Sequence, residues 1–280
     1  DLPRLRREID ADEDAAPEMG VFRRAICDHL EAYCRLKLGD SSAALAAAHR
    51  AIAEFVRIGA GRWEGFARGV VGLALVDQGE PDAALRQFAR AEECAAELGM
   101  VASMLMARNN ASLVTLSAGR LSEAVDQLQM SRSITTGTVA DVQCRLMLCR
   151  ALATIGKRTE ARAVADEAAR VADDLANEEY GADARILTAW LDGSRDRLER
   201  LRQRADDAGT PFLVRSCLVY LADLTPQSRP GDAEILLDLA EAMAPHPDDL
   251  TPLVERIRAR LDVAPIRVER DTVGEERRDG

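Results

Sequence analysis

Apolar residues recur at helical spacing along most of the chain, and short glycine-bearing breaks interrupt them at a nearly constant stride. In the first stretch Ile26, Leu30, Tyr33 and Leu36 recur this way, and in the next Leu45, Ala48, Ile52 and Phe55 fall on one face. A three-to-four-residue period of this kind predicts amphipathic helices. The breaks carry Gly39, Gly79, Gly119, Gly156, Gly193 and Gly231, spaced by 40, 40, 37, 37 and 38 residues. Five positions after each of the first four stands an alanine (Ala44, Ala84, Ala124, Ala161), and twelve after stands a small residue (Ala51, Ala91, Ser131, Ala168). A fixed period of this length is the mark of a helical solenoid, in which each helix pair buries its apolar face against its neighbours.

The pattern places the elements as follows. A first helix runs from about Gly20 to Leu38 and ends at Gly39, since glycine takes the left-handed cap conformation at little cost. Ser41 or Ser42 is positioned to cap the next helix. In the second repeat one helix holds Trp63, Phe66, Gly72, Leu75 and Val76. The turn Gly79-Glu80-Pro81-Asp82 follows, and the partner helix holds Ala84, Leu85, Phe88 and Ala91 before stopping at Leu98-Gly99. The third repeat spans about Ala102 to Ile134 and the fourth about Val139 to Leu175. A degenerate fifth pairs Tyr180–Leu191 with Asp196–Asp206 across Gly193, and a sixth pairs Phe212–Leu224 with Asp232–Ala244. A last helix near Pro247–Leu261 is expected to cover the exposed end. The domain organisation read from this is a frayed, charged lead-in at 1–18, a solenoid at 19–262 and a charged tail or linker at 263–280.

On the segment Gly72–Ala91 the chain resembles the tetratricopeptide repeat (TPR) family. Gly72 lies seven residues before Gly79, Ala84 five after it, and Phe88 and Ala91 follow at the family's close-packing positions. The stride is longer than the usual TPR period and is similar to the extended-helix variety in bacterial signal-responsive regulators. The resemblance extends over about 20–245, although the proline that closes the second TPR helix is absent throughout. It implies an all-α, right-handed solenoid of about six antiparallel helix pairs with a C-terminal capping helix. It also implies a concave groove lined by the first helix of each pair.

The groove positions carried over from the family fall at fixed offsets before each glycine. They are His29, Tyr33 and Lys37 in the first repeat, Phe66, Gly69, Leu73, Val76 and Asp77 in the second, Met106, Asn109, Leu113 and Ser117 in the third, Gln143, Leu146, Arg150 and Thr154 in the fourth, and Tyr180, Asp183 and Trp190 in the fifth. The neighbouring Asn110 joins them. Rigid aromatics supply contact area at low entropic cost, and an asparagine amide can both donate to and accept from an extended backbone. In TPR proteins asparagines at these offsets bind peptide backbone; a local hydrogen bond to the adjoining repeat is the other reading of Asn109. Arg150 meets either an acidic group of a ligand or a carboxylate of the solenoid itself.

Composition narrows the function from the other side. The chain carries 48 acidic against 37 basic residues, a net charge of −11, which disfavours direct binding to nucleic acid or to an anionic membrane. Its six cysteines form no CxxC pair and read as small, reduced core residues. The three histidines, His29, His49 and His246, lie in no HExxH or related pattern, and no GxSxG or phosphate-binding loop occurs. No catalytic site, metal site or cofactor is expected. No apolar run reaches membrane length, and no leader is recognisable, which points to the cytoplasm. Because the chain begins at Asp1, we read it as a fragment whose tail leads to a joined output domain. The expected function is a non-catalytic, protein- or peptide-binding sensor module of a bacterial signalling or transcriptional regulator. A passive assembly scaffold, or the regulatory half of a larger signalling enzyme such as a nucleotide cyclase, are the alternatives.

Overall fold

A computed structural model describes residue 4 and residues 17–134, 137–243 and 250–263. Among these residues the chain forms thirteen α-helices and no strand. The helices are α1 (Pro17–Lys37), α2 (Ser41–Arg57), α3 (Gly61–Asp77), α4 (Pro81–Glu97), α5 (Val101–Ser117), α6 (Leu121–Arg132), α7 (Val139–Thr154), α8 (Arg158–Asp174), α9 (Glu178–Leu191), α10 (Arg195–Asp207), α11 (Pro211–Asp223), α12 (Pro230–Met243) and α13 (Thr251–Val263). They form six antiparallel pairs, α1–α2 to α11–α12, followed by one further helix. Each helix packs on the next, and each first helix also packs on the first helix of the following pair, so that the odd-numbered helices make one continuous layer. The fold is thus an all-α solenoid. The lead-in at 1–18 and the tail at 263–280 lie almost wholly outside the described residues, although α1 already begins at Pro17.

The turns show why the glycines recur. Gly39, Gly59, Gly79, Gly99 and Gly119 all adopt positive φ, between 65° and 78°. At each the residue after the glycine donates its N–H back to a carbonyl five positions earlier, as Glu80 does to Leu75 at 2.9 Å. This closes the end of a helix, and the left-handed geometry favours glycine. The structural stride is therefore one turn per 20 residues: Gly59 and Gly99 end the second helices just as Gly39 and Gly79 end the first. Gly231 is the exception to the expected set. It lies inside the first turn of α12, behind Pro230, and takes no positive φ. Ser41 and Ser42 do not cap α2 either. Asp40 does, its Oδ1 accepting from the Ala43 N–H at 3.1 Å.

Small residues set the helix separations. Ala44, Ala84, Ala124 and Ala161 are all fully buried, as close interhelical crossings require. Gly72 faces the ring of Phe88, and a Cβ there would lie 2.7 Å from Cζ and 2.8 Å from Cδ1. Overpacking of this kind costs about 1–3 kcal/mol. Gly72→Val is accordingly expected to lower the thermal midpoint, and Phe88→Leu introduced alongside it should recover part of the loss. An unchanged midpoint would show that α3 and α4 do not meet at this contact.

Of the six cysteines Cys34 is exposed and the other five are buried. Burial pushes the thiols of Cys144, Cys149 and Cys217 up to about 12, which leaves them protonated and inert.

The final helix does more than cover an end. α13 packs against α5, α7 and α11, the first helices of the third, fourth and sixth pairs, and against α12. Its buried residues Leu253, Val254 and Ile257, together with Leu250 just before it, join the core that also contains Leu116, Leu148 and Trp190. Arg256 donates to the carbonyls of Ala153 and Thr154 at the end of α7, at 3.4 and 2.7 Å, and to Asp223 at 3.2 Å. Arg260 donates to the carbonyls of Ala222 and Asp223, and Asp223 also accepts from the Trp190 indole at 2.9 Å. Cations at helix C-termini satisfy carbonyls that have no partner within the helix. α13 thus fastens α7 to α11 from the first-helix side.

Candidate functional site

With α13 lying across α5, α7 and α11, the open part of the first-helix layer is in the N-terminal half. A cavity of about 590 Å³ lies there, formed by α1, α3, α5 and the start of α7, with Ala91 and Ala95 of α4 also in its lining. The volume falls within the range of roughly 300–1,000 Å³ usual for ligand pockets.

The walls are apolar and aromatic with a few polar groups set into them. Phe66 meets Trp63 edge-on at 5.8 Å, and His29 meets the same indole at 6.2 Å. Trp63 also stacks on Phe55 and contacts Phe22, so these rings stand on a rigid aromatic cluster. Burial lowers the pKa of His29, favouring the neutral ring. Its Nδ1 is shielded and has no hydrogen-bond partner among the described residues. Lys37 sits over the Tyr33 ring at 5.4 Å, and Arg62 over the Phe66 ring at 5.7 Å. Met106 and Asn110 come from α5, and Gln143 from α7. The Gln143 amide donates to the Tyr180 hydroxyl at 2.6 Å. Burial raises the Tyr180 pKa, partly offset by that hydrogen bond, so the hydroxyl stays protonated.

The structure therefore brings His29, Tyr33, Phe66, Met106, Asn110 and Gln143 around one cavity and attaches Tyr180 through Gln143. Several of the sequence-derived residues stand elsewhere, among them Asp183 and Trp190, which are buried and line no part of this cavity. Asp77 accepts from the Ser41 hydroxyl at 2.9 Å and ties the end of α3 to the start of α2. Arg150 is buried, with Nη2 at 2.6 Å from both Asp183 carboxylate oxygens and Nε at 2.9 Å from the Tyr220 hydroxyl. Asn109 is 2% exposed and donates to the Ala140 carbonyl at 2.7 Å. Of the two readings the sequence left open for Arg150 and for Asn109, the contacts are those of the internal one. The physical reason is register: Asn109 turns toward α7 at the α5–α7 contact, whereas Asn110, one helical step on, turns into the cavity.

Asn109→Ala is expected to cost about 1 kcal/mol of stability, the usual net worth of one buried hydrogen bond. Urea denaturation measures it, and a gain in stability would place the side chain in solvent.

Sequence reasoning missed Arg62, Thr138 and Val139, which also line the cavity. A signal for two of them was present. Arg62 and Val139 lie 17 residues before Gly79 and Gly156, one helical turn beyond Phe66 and Gln143 on the same face. Extending the offsets by four residues finds them.

Among the described residues no group of three or more His, Cys, Asp or Glu could hold a metal ion, and no helix is long and apolar enough to cross a membrane.

Fold and cavity together define a helical-repeat protein with a ligand-sized groove on its first-helix layer. No family model and no curated protein matches the sequence. Among solved structures the chain is similar to the apo form of RapI, with a TM-score of 0.67 and 16% identity over 91% of this chain and 89% of that one. It is also similar to a Rap protein complexed with competence and sporulation factor, with a TM-score of 0.64 and 14% identity over 92% of this chain and 71% of that one. These are TPR-like helical-repeat proteins, and at such identities the likeness is one of fold.

Proposed function

We propose that the chain is a non-catalytic sensor module that binds a short peptide in the α1–α3–α5–α7 groove and belongs to a cytoplasmic bacterial signalling or transcriptional regulator. The observation that carries this reading is that first helices of four successive pairs contribute to one cavity. Aromatic walls there surround Asn110, whose amide makes no hydrogen bond among the described residues. A backbone laid across that amide would satisfy its donor and acceptor together, while Phe66, Met106 and Leu73 take apolar side chains. The solved Rap complex with competence and sporulation factor supports the reading by analogy of fold. A ligand touching four pairs at once has a different affinity for each curvature of the solenoid, and that difference is what shifts the population.

The test is selection from a synthetic hexapeptide pool, followed by solution scattering with the selected peptide. Binding should change the radius of gyration, and Phe66→Ala should weaken it at least tenfold without unfolding the chain. Binding with no change of shape would favour a passive scaffold. Selected peptides indifferent to Phe66→Ala would place the site elsewhere.

A further inference from the structure

We infer that the groove selects an acidic peptide, one carrying at least two carboxylate side chains among apolar ones; this rests on the peptide reading above. The argument is one of charge complementarity. The chain holds 48 Asp and Glu residues, yet among the described residues none lines the cavity, whereas Lys37, Arg62 and the neutral His29 do. Around the cavity other arginines are paired by the protein itself, Arg50 with Asp28, Arg68 with Glu64, Arg108 with Glu92 and Arg132 with Glu167. Lys37 and Arg62 make no ion pair among the described residues. Their charges rest on the faces of Tyr33 and Phe66, the same rings that wall the cavity. A cation held over an aromatic ring keeps its outward side available to an anion.

The two cations cannot share one anion. Lys37 stands two residues before Gly39 and Arg62 stands 17 before Gly79. α1 and α3 are neighbouring first helices, so the cations differ by 15 register positions, about 22 Å along the helix axis at 1.5 Å per residue. They mark opposite ends of the cavity. A single carboxylate reaches one of them, and an occupant that answers both needs two separated negative groups. An extended peptide advances about 3.3 Å per residue, so a segment of six to eight residues can present both.

The experiment uses three pools of acetylated, amidated octapeptides with the same Phe, Leu and Met content, carrying two Glu, two Gln or two Lys. Affinities for the full chain are read by fluorescence anisotropy at low salt. The Glu pool should bind at least tenfold tighter than the Gln pool, and the Lys pool weakest. Lys37→Gln and Arg62→Gln should each remove a severalfold part of the advantage of the Glu pool over the Gln pool. Rising salt should erode the same advantage, because exposed charges are screened. The inference is overturned if the Lys pool binds as tightly as the Glu pool, or if the Glu advantage survives in the double variant. Equal binding by all three pools, abolished by Phe66→Ala, would keep the peptide site and remove its charge preference. No Phe66-dependent binding by any pool would remove both.

Discussion

Asp183→Ala is expected to destabilise the protein by about 3–5 kcal/mol, the largest loss of any single substitution considered. The carboxylate lies on α9, fully within the first-helix layer, and faces the Arg150 guanidinium of α7; each side chain is 4% exposed. Arg150 extends the link to the Tyr220 hydroxyl on α11 and lies over the ring of Phe212 at 5.7 Å. One ion pair thus joins three successive helix pairs. Truncating the acid takes a carboxylate away from a buried guanidinium, and breaking a buried pair from one side typically costs about 3–5 kcal/mol. For a domain of this size roughly 1 kcal/mol moves the thermal midpoint by about 2–4 °C, so a fall on the order of 10 °C should be seen. The double variant Arg150→Met/Asp183→Leu is expected to recover most of it, because replacing both charges with apolar side chains of similar volume is often close to neutral. If Asp183→Ala melts like the parent, the pair is solvated and the inner layer of the C-terminal half is open.

Ile257→Ala is expected to cost about 2–5 kcal/mol, the usual range for an isoleucine truncated to alanine in a core. Ile257 is 1% exposed although it lies near the end of the described chain, because α13 rests on α5, α7 and α11. The distribution of the loss is more informative than its size. In a solenoid a defect is felt by the adjoining pairs, so a helix that only covered the last pair would loosen α11 and α12 alone. Here amide exchange should accelerate in α13 and also in α5 and α7. Protection confined to its parent level in α5 and α7 would show that α13 touches the final pair and nothing else.

Much of the fold was legible because its rule is local. Ala84, Phe88 and Gly72 stand at fixed distances from Gly79, and the contact between Gly72 and Phe88 follows from those distances. The half-period was harder to see. Gly59 and Gly99 end the second helices, but Ala176 takes the corresponding left-handed position after α8 with φ of 49°, so the glycine series breaks there. Gly231 kept the stride by coincidence, inside a helix that Pro230 begins. The site was legible as a face but not at the resolution of single residues. A helical offset distinguishes inside from outside, yet Asn109 and Asn110 differ by one 100° step, and that step separates a bond between helices from a place in the cavity. Asp77 and Arg150 sit at groove offsets too. Their roles were set by partners far along the chain, Ser41 and Asp183, which no local pattern could assign. The docking of α13 onto α5 and α7 was invisible for the same reason.

That docking also bears on the order in which the molecule can assemble. Helix pairs that bind only their neighbours can settle one after another as they leave the ribosome, each closing a short stretch of chain. Arg256 reaches back 103 positions to Ala153, and the entropy of closing a loop rises with its length by about 0.6 kcal/mol per doubling. Until residues 250–263 have been made, the apolar surfaces of α5, α7 and α11 that receive Leu253 and Ile257 stand bare. The nascent C-terminal half therefore passes through a window of exposed hydrophobic surface, the condition in which growing chains engage chaperones or aggregate.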